Sequence, residues 1–268
     1  MSDNLEPAPF DPISYPNFMT SLSQRKFLWI GCAGWSIPGA MTNRFPQGDS
    51  RLERYAQRFD CVEVNSSFHR PHRPATYRRW AGAVPPAFRF AVKMPRSISH
   101  DARLCNTGNA LRAFLDPVRE LGGKLGCLLL QLPPSLAFTA AEALPFLDQL
   151  AQLYHGPVAC EPRHQSWFRP TVDRELRERG VARVAADPAR CLRAAVPGGT
   201  RQFEYFRMHG SPRTYYDAYD EAALCRIARR LRRPDGTVSR WCIFDNSALG
   251  HSVANAMDLV GRLAGDAR

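Results

Sequence analysis

Eight short apolar segments, separated by stretches with the features of helices, recur along the chain and limit what it can fold into. They are rich in β-branched and aromatic residues, and one begins roughly every 30 residues. The segments are 27–35, 61–65, 88–94, 126–132, 158–163, 182–187, 204–210 and 240–246. Strands that alternate with helices form parallel sheets, and eight such units close a (β/α)8 barrel. The sequence therefore predicts an α/β fold, a single-domain TIM-type barrel with a closed sheet of eight parallel strands.

Start and stop signals mark several of the intervening helices. Ser50 is followed three residues later by Glu53, as in a capping box, Thr139 opens another helical stretch, and Gly180 closes a third. The Pro-rich residues 1–24 lack the charged head and apolar core of a secretion signal. We expect residues 1–24 to form a flexible arm and residues 25–268 to form the barrel.

Composition limits the compartment and the partners. Apolar runs are only a few residues long, so we expect no membrane association. The eight cysteines include no CxxC pair, which favours a reduced, cytoplasmic protein. The formal net charge of +11 suits an anionic partner. Only three of the 36 basic residues are lysines, so the arginine-rich helices are typical of solvated faces and each lysine is informative.

Polar side chains end most of the predicted strands. Residues two apart share a face of a strand, which pairs Glu63 with Asn65, Glu161 with Arg163, and Arg207 with His209. The alternate residues, Val62, Val64, Phe90, Val92, Phe206 and Met208, are then expected to face the helices. Lys93, Gln131, Asp187, Asp245 and Asn246 end the remaining strands. We call the carboxyl ends of the strands the mouth, and expect the functional site there because barrel enzymes carry their active sites at that end.

Seven ordered motifs resemble one family. They are "IGCAGWS", "FDCVEVNSSFHR", "FRFAVKMPRSISHDARL", "KLGCLLLQLPPSL", "EPRHQSWF", "YFRMHGSP" and "FDNSALGHSVANAMDL", spanning Ile30 to Leu263. The chain is identified on these motifs as a member of domain-of-unknown-function family 72, the YecE-like barrel proteins. The resemblance implies a TIM-type barrel and carries no catalytic residues over. Two positions depart from the family pattern: His69 stands where Tyr is usual, and Asp245 precedes Asn246 where two Asn are usual.

The chemistry expected at the mouth is acid/base catalysis on a small anion. Glu161 and Glu63 are candidate proton carriers, because paired carboxylates suit this work when their environments separate their pKa values. Lys93 is a candidate electrophilic or basic amine, with an ion pair to a neighbouring strand as the alternative, and His209 is a further catalytic candidate. The candidate substrate-binding residues are Arg163, Arg207, Asn65, Gln131, Asp187, Asp245, Asn246, Trp35 and Ser247.

The substrate is expected to carry a phosphate or a carboxylate. Ser247 and Gly250 lie just ahead of a helix after the last strand, where barrels often bind phosphate. The long loop 94–108 adds Arg96, His100 and Arg103 and could close over the mouth.

Two alternatives stay open. A divalent metal could bind Glu63, Glu161, Asp187 and His209, but neighbouring Lys and Arg side chains can supply the same charge, so no cofactor is predicted and a metal is not favoured. A nucleic acid is the alternative partner, on the basic composition and on aromatics such as Trp167, Tyr215 and Tyr216, which would make the chain a nucleic-acid-binding protein or a metal-dependent nuclease or isomerase. The oligomeric state does not follow from the sequence.

Overall fold

The apolar segments predicted as strands form one sheet in the computed structural model, which describes residues 28–232 and 238–265. The predicted arm, 1–24, lies outside the described residues. The strands are β1 (Leu28–Ala33), β2 (Cys61–Val64), β3 (Arg89–Lys93), β4 (Leu125–Gln131), β5 (Val158–Glu161), β6 (Val181–Arg183), β7 (Ala185–Asp187), β8 (Gly198–Gly199), β9 (Phe203–Met208) and β10 (Ser239–Phe244). Their order in the sheet is β7-β9-β10-β1-β2-β3-β4-β5-β6-β8. Each of the eight predicted segments overlaps one or two of these strands.

The sheet curls into a nearly closed, barrel-like form. β6 and β7 are separated only by Val184, yet β6 pairs with β5 and β7 pairs with β9. The amide of Val184 donates to the carbonyl of Cys160 at 2.8 Å, which continues the pairing with β5 by one residue. Because β6 and β7 are consecutive in the chain but lie toward opposite ends of the strand order, the chain at Val184 connects those two parts of the sheet. The strand predicted over 182–187 is therefore two strands that pair with different neighbours.

The prediction of eight all-parallel strands is corrected by the break at Val184 and by β8. β8 pairs antiparallel with β6, whereas the other pairs among the described strands are parallel. Gly199 has φ 69°, and a Cβ there would lie 2.2 Å from the carbonyl oxygen of Val181. Only glycine permits this close approach, and a two-residue strand is too short to show alternation in the sequence.

Helices follow most of the strands and cover the outside of the sheet. They are α1 (Arg51–Ala56), α2 (Pro74–Gly82), α3 (Gly108–Val118), α4 (Ala140–Leu153), α5 (Pro170–Glu178), α6 (Glu221–Leu231) and α7 (His251–Gly265). The predicted capping box of α1 is confirmed: the Glu53 amide donates to Ser50 Oγ at 3.2 Å, and the Ser50 amide donates to Glu53 Oε2 at 3.2 Å. Gly180, with φ 68°, follows α5 as predicted. Thr139 precedes α4, but its hydroxyl donates to Glu142 Oε2 at 2.7 Å instead of accepting from the helix backbone.

The strands carry two separate apolar layers, one on each face. The residues predicted to face the helices are all buried in the outer layer. They are Val62, Val64, Phe90, Val92, Phe206 and Met208. The inner layer is formed by Cys61, Ala91, Cys127, Leu129, Ala159, Ala182, Val184, Phe203, Tyr205, Trp241 and Ile243. The alternation read from the sequence is therefore confirmed, and the polar strand ends continue the inner layer toward the mouth.

Aromatic rings fill the barrel at the amino ends of the strands. The ring centroids of Trp29 and Trp241 lie 5.6 Å apart and those of Tyr205 and Trp241 lie 5.9 Å apart, all in stacked orientation. Gly126 leaves room for this stack, because a Cβ there would lie 2.6 Å from Cζ2 of Trp241. The interior is thus packed with aromatics beneath the charged layer at the mouth.

Candidate functional site

Arg207 of β9 is the centre of a buried charge cluster. Its guanidinium meets Glu63 through two bonds, Nε to Oε2 at 3.0 Å and Nη2 to Oε1 at 2.6 Å. It also donates to Glu161 Oε2 at 2.5 Å and to Asp245 Oδ2 at 2.8 Å. Tyr205, two residues earlier on the same strand face, donates its hydroxyl to Glu63 Oε2 at 2.9 Å. Arg207 and Glu63 are both fully buried, so this network fixes the base of the site.

His209 lies between two of the same carboxylates. Its Nδ1 is 3.1 Å from Asp245 Oδ2 and its Nε2 is 3.1 Å from Glu161 Oε1. An ionised carboxylate only accepts hydrogen bonds, so both ring nitrogens must donate and the imidazole carries two protons. Burial alone would lower the pKa of His209, but the charge of Glu161 and the hydrogen bonds to both acids raise it above the usual value. The site therefore holds a proton on a buried imidazolium.

The two carboxylates that contact His209 are held in their ionised form. Burial alone would raise the pKa of Glu161, but the charges of Arg207 and His209 lower it well below its usual value. The pKa of Asp245 is lowered in the same way, against its burial, by Arg207 and His209. Both acids are thus acceptors at neutral pH, whereas His209 is a donor.

Lys93, the last residue of β3, is buried close to these carboxylates but is not paired with them. Among residues 28–232 and 238–265, no carboxylate comes within ion-pair distance of its ammonium and no hydrogen-bond acceptor meets it. The ammonium lies 4.2 Å from the centre of the Phe68 ring. Burial and then the charge of Arg207 lower the pKa of Lys93 to about 8.

Arg163 connects the cluster to a cavity of about 410 Å³. Its guanidinium lies 3.3 Å from Glu161 Oε1 and donates from Nη2 to the hydroxyl of Tyr215 at 3.1 Å. Tyr215, which has φ 72°, also lies edge-on to His209 with 5.5 Å between ring centres. The residues that line the cavity include the polar Glu161, Arg163, His209 and Tyr215 and the apolar Phe168, Val184, Ala186, Pro188 and Ala194.

Of the predicted site residues, the structure therefore brings seven together. They are Glu63, Lys93, Glu161, Arg163, Arg207, His209 and Asp245. Gln131 is adjacent, because it is buried at the end of β4 in register with Glu161 on β5. Asn65 follows β2 and is half-buried, and its Oδ1 has no hydrogen-bond partner among the described residues.

Four of the remaining predicted residues are engaged elsewhere or exposed. Asn246 donates to the carbonyl of Asp217 at 3.0 Å and to Asn255 Oδ1 at 2.8 Å. Asp187 accepts at Oδ1 from the hydroxyl of Tyr219 at 2.9 Å, Trp35 packs edge-on against Trp80 with 5.0 Å between ring centres, and Ser247 is exposed.

The loop 94–108 reaches the mouth through His100. The His100 ring lies 5.0 Å from the ring of Phe68, which in turn covers Lys93. Burial, followed by the charge of Lys93, lowers the pKa of His100. Arg96 pairs with Asp101 and Arg103 donates to the carbonyl of Ser135 at 3.1 Å. The loop thus places its histidine, but neither of these arginines, beside the cluster.

Two residues of the site were not predicted from the sequence, Tyr205 and Phe68, and Tyr215 was expected only as a stacking aromatic for a nucleic acid. Tyr205 had a usable signal, since it stands two residues before Arg207 and alternation places both on the inner face. Phe68 lies in a short 3-10 turn after β2, and Tyr215 lies in the loop after β9. Alternation does not extend into either loop.

The structure bears on the metal alternative and on the question of a membrane-spanning helix. Within the part of the chain that the structure describes, no three or more His, Cys, Asp or Glu side chains form a group that could hold a metal ion. The guanidinium of Arg207 occupies the position between Glu63, Glu161 and Asp245. No helix in the described ranges has the length and apolar character needed to cross a membrane.

Solved structures with the same fold exist. A DUF72 family protein from Enterococcus faecalis V583 aligns with a TM-score of 0.75 at 20% identity, covering 88% of this chain and 95% of the other. A DUF72 family protein from Thermotoga maritima MSB8 aligns with a TM-score of 0.69 at 22% identity, covering 89% of this chain and all of the other. At these identities the likeness shows the fold alone.

Proteins similar in sequence were also found. UPF0759 protein YecE of Escherichia coli K12 is 34% identical over 176 residues, which span 63% of this chain and 62% of YecE. UPF0759 protein YunF of Bacillus subtilis 168 is 24% identical over 150 residues, or 53% of each chain. The model of the family described as "Protein of unknown function DUF72" matches residues 29–268, so the motifs that build the barrel and its mouth place this chain in that family.

Proposed function

We propose that this chain is an enzyme that binds a small anionic molecule at the mouth and transfers a proton to or from it. One observation carries the proposal: the proton-bearing His209 and the guanidinium of Arg163 line the same cavity. A cation that binds an anionic group and a positioned acid beside it are the two parts that general acid catalysis requires.

The charge of the cluster supports an anionic ligand. Three carboxylates, Glu63, Glu161 and Asp245, are paired with three cationic side chains, Arg207, His209 and Arg163, and a fourth cation, Lys93, lies close to them without pairing. With His209 protonated the group has one excess positive charge, and the carboxylates are already occupied by Arg207 and His209. An incoming phosphate or carboxylate would therefore meet uncompensated positive charge in a partly desolvated site.

The proposed roles follow from the contacts. His209 acts as the general acid, Glu161 and Asp245 orient its ring and stabilise its charge, and Arg163 binds the anion. Glu63, paired on both oxygens with Arg207, is a positioning residue. Glu161 was expected from the sequence to carry the proton itself, but its lowered pKa favours the role of a hydrogen-bond acceptor that orients His209.

The size of the cavity limits the substrate. A volume of about 410 Å³ lies at the small end of ligand pockets. Its apolar lining residues, such as Phe168 and Val184, suit a short carbon skeleton, while Arg163 and His209 suit the polar group. We propose a compact metabolite with one phosphate or carboxylate group.

We also propose that the architecture is a TIM-type (β/α)8 barrel whose sixth strand is broken at Val184. The support is the pairing of β6 with β5 and of β7 with β9. Counted together as one broken strand, β6 and β7 complete a ring of eight parallel strands. The location of the charge cluster at the carboxyl ends of the strands agrees with this architecture.

Binding of phosphate and small carboxylates, measured by isothermal titration calorimetry, tests the function. Arg163→Gln should weaken binding at least tenfold, because it removes a charge-assisted contact worth more than about 1.4 kcal/mol. Arg179→Gln is the matched control: its side chain is 19% exposed against 20% for Arg163, and it is also paired with carboxylates, Asp148 and Glu175. Equal affinity in both variants, or no binding of any anion to the unmodified chain, would refute the proposal.

A further inference from the structure

Lys93 differs from the other lysine that the structure describes. The ammonium of Lys124 donates to two carbonyls, those of Ala81 and Val84, at 2.5 Å each. Within residues 28–232 and 238–265, the ammonium of Lys93 meets neither an acceptor nor a carboxylate, only the face of Phe68 at 4.2 Å. A buried charge usually has an ionic or hydrogen-bonding partner, whereas within the described residues the Lys93 ammonium has only the cation–π contact with Phe68.

The surroundings of Lys93 fix its backbone but provide no hydrogen-bond acceptor for its side-chain nitrogen among the described residues. Its backbone is fixed by Ser67, whose Oγ donates to the Lys93 carbonyl at 2.7 Å. The groups that act on its ammonium are Arg207, which disfavours the charge, and the carboxylates Glu63, Glu161 and Asp245, which favour it, with His100 on the loop beyond Phe68. Arg207 and His209 hold the three carboxylates by hydrogen bonds, so none of them forms an ion pair with Lys93.

We infer that Lys93 is a nucleophilic amine that forms an imine with a small aldehyde or ketone bearing a phosphate or carboxylate group. This inference rests on the proposed function, because it assigns the anionic group to Arg163 and the carbonyl carbon to Lys93. Lys93 and Arg163 lie near the same part of the mouth, because each acts electrostatically on Glu161 and on His100. Lys93 is outside the lining of the cavity of about 410 Å³, so the substrate must reach from that cavity past Glu161 to the amine. An ion pair to a carboxylate would raise the pKa of this amine and reduce the neutral fraction that can attack a carbonyl carbon.

The step is balanced without any further reactant. The neutral amine adds to the carbonyl carbon, forming the C–N bond, and the carbonyl oxygen takes up a proton to give a carbinolamine. The nitrogen then loses a proton, and the hydroxyl leaves as water after protonation by an acid of the site, for which His209 is the candidate. The product is a protonated imine, whose positive charge replaces that of the ammonium beside Glu161 and Asp245.

The protonation state of Lys93 suits this chemistry. With a pKa of about 8, roughly a tenth of the amine is neutral at pH 7, against well under a thousandth for an ordinary lysine. Because the pKa is lowered, the neutral fraction rises as the pH rises through about 8 and is lost below it. Modification of Lys93 should therefore increase about tenfold between pH 7 and pH 9, and then reach a plateau.

The chain is well suited to a direct test, because it contains three lysines, Lys26, Lys93 and Lys124. The full chain is incubated with glyoxylate, an aldehyde that carries a carboxylate, and reduced with borohydride, and the modified lysines are located by peptide mass spectrometry. We expect Lys93 to be modified at least tenfold faster than Lys124 at pH 7.5, and inorganic phosphate to slow it by competing for Arg163. Equal modification of the lysines, or none at Lys93, would overturn the inference.

Lys93→Arg and Lys124→Arg separate this inference from the proposed function. Lys93→Arg removes the nucleophilic amine, so it should give no trapped product, whereas Lys124→Arg should give the same yield as the unmodified chain; phosphate binding is measured on the unmodified chain. If phosphate binds and Lys93 is not trapped, the imine is refuted and the proposed function stands. If neither phosphate nor glyoxylate binds the unmodified chain, the proposed function fails as well.

Discussion

Replacing Arg207 with methionine would show how much the buried charge cluster depends on one residue. Arg207→Met preserves much of the side-chain volume but removes four hydrogen bonds to Glu63, Glu161 and Asp245. Breaking a buried ion pair by removing one partner usually costs about 3–5 kcal/mol, because the other charge is left uncompensated. Three carboxylates lose their partner here while His209 remains, so we expect a loss of about 4 kcal/mol in the free energy of unfolding at pH 7.5.

The dependence of this loss on pH has a definite sign. In the unmodified chain the pKa values of Glu161 and Asp245 are lowered, so their stabilising effect is present above the unfolded pKa values and is lost only as the pH falls through the folded ones. Without Arg207, burial should raise the same pKa values above those of the unfolded chain. The variant then gains stability as the pH falls, and its difference from the unmodified chain should shrink between pH 7.5 and pH 5.

Urea unfolding followed by circular dichroism at pH 7.5, 6.5 and 5.5 measures both effects. Arg179→Met is the control, since this partly exposed arginine pairs with Asp148 and Glu175 and its loss should change stability by no more than about 1 kcal/mol. A loss below 1 kcal/mol for Arg207→Met at pH 7.5, or one that grows as the pH falls, would refute the reasoning.

Two further predictions concern the packing and the proton. Gly126→Ala should lower the free energy of unfolding by roughly 1–3 kcal/mol, because its methyl group would overlap Trp241, whereas Gly123→Ala, which meets no atom within 4 Å, should not; thermal melts of both variants compare them. The imidazole of His209 should titrate above pH 6.5 in an NMR titration, because Glu161 and Asp245 favour its charged form; a value at or below 6.5 would contradict the geometry.

Alternation along strands made much of the site predictable. Glu63, Glu161 and Arg207 lie within strands, where each side chain has only two faces to choose from, and the apolar neighbours of each residue show which face it takes. The same rule predicts the outer layer, including Val62 and Phe206. The sequence alone therefore predicts which charged residues lie together on the inner face.

Residues beyond the strand ends were less predictable, because their directions depend on loop backbone and on distant partners. Asn246 follows β10 but turns toward Asn255 of α7, and Tyr215 reaches Arg163 across 52 positions of sequence through a residue with positive φ. The pairing of Lys93 was undecided for a related reason. Lys93 has no ion pair because Arg207 is paired with the nearby carboxylates. The sequence of a single strand does not show which of two cations, on different strands, will pair with a given carboxylate.

The stacked rings of Trp29, Trp241 and Tyr205 limit the routes by which substrate and product can enter and leave the barrel. Within residues 28–232 and 238–265 these rings fill the barrel toward the amino ends of the strands, so the opening left for a ligand at the charge cluster is the mouth. A product must therefore depart by the route along which the next substrate arrives. Whatever the reaction, its product is expected to inhibit in competition with substrate, and a narrowing of this one opening would slow arrival and departure together.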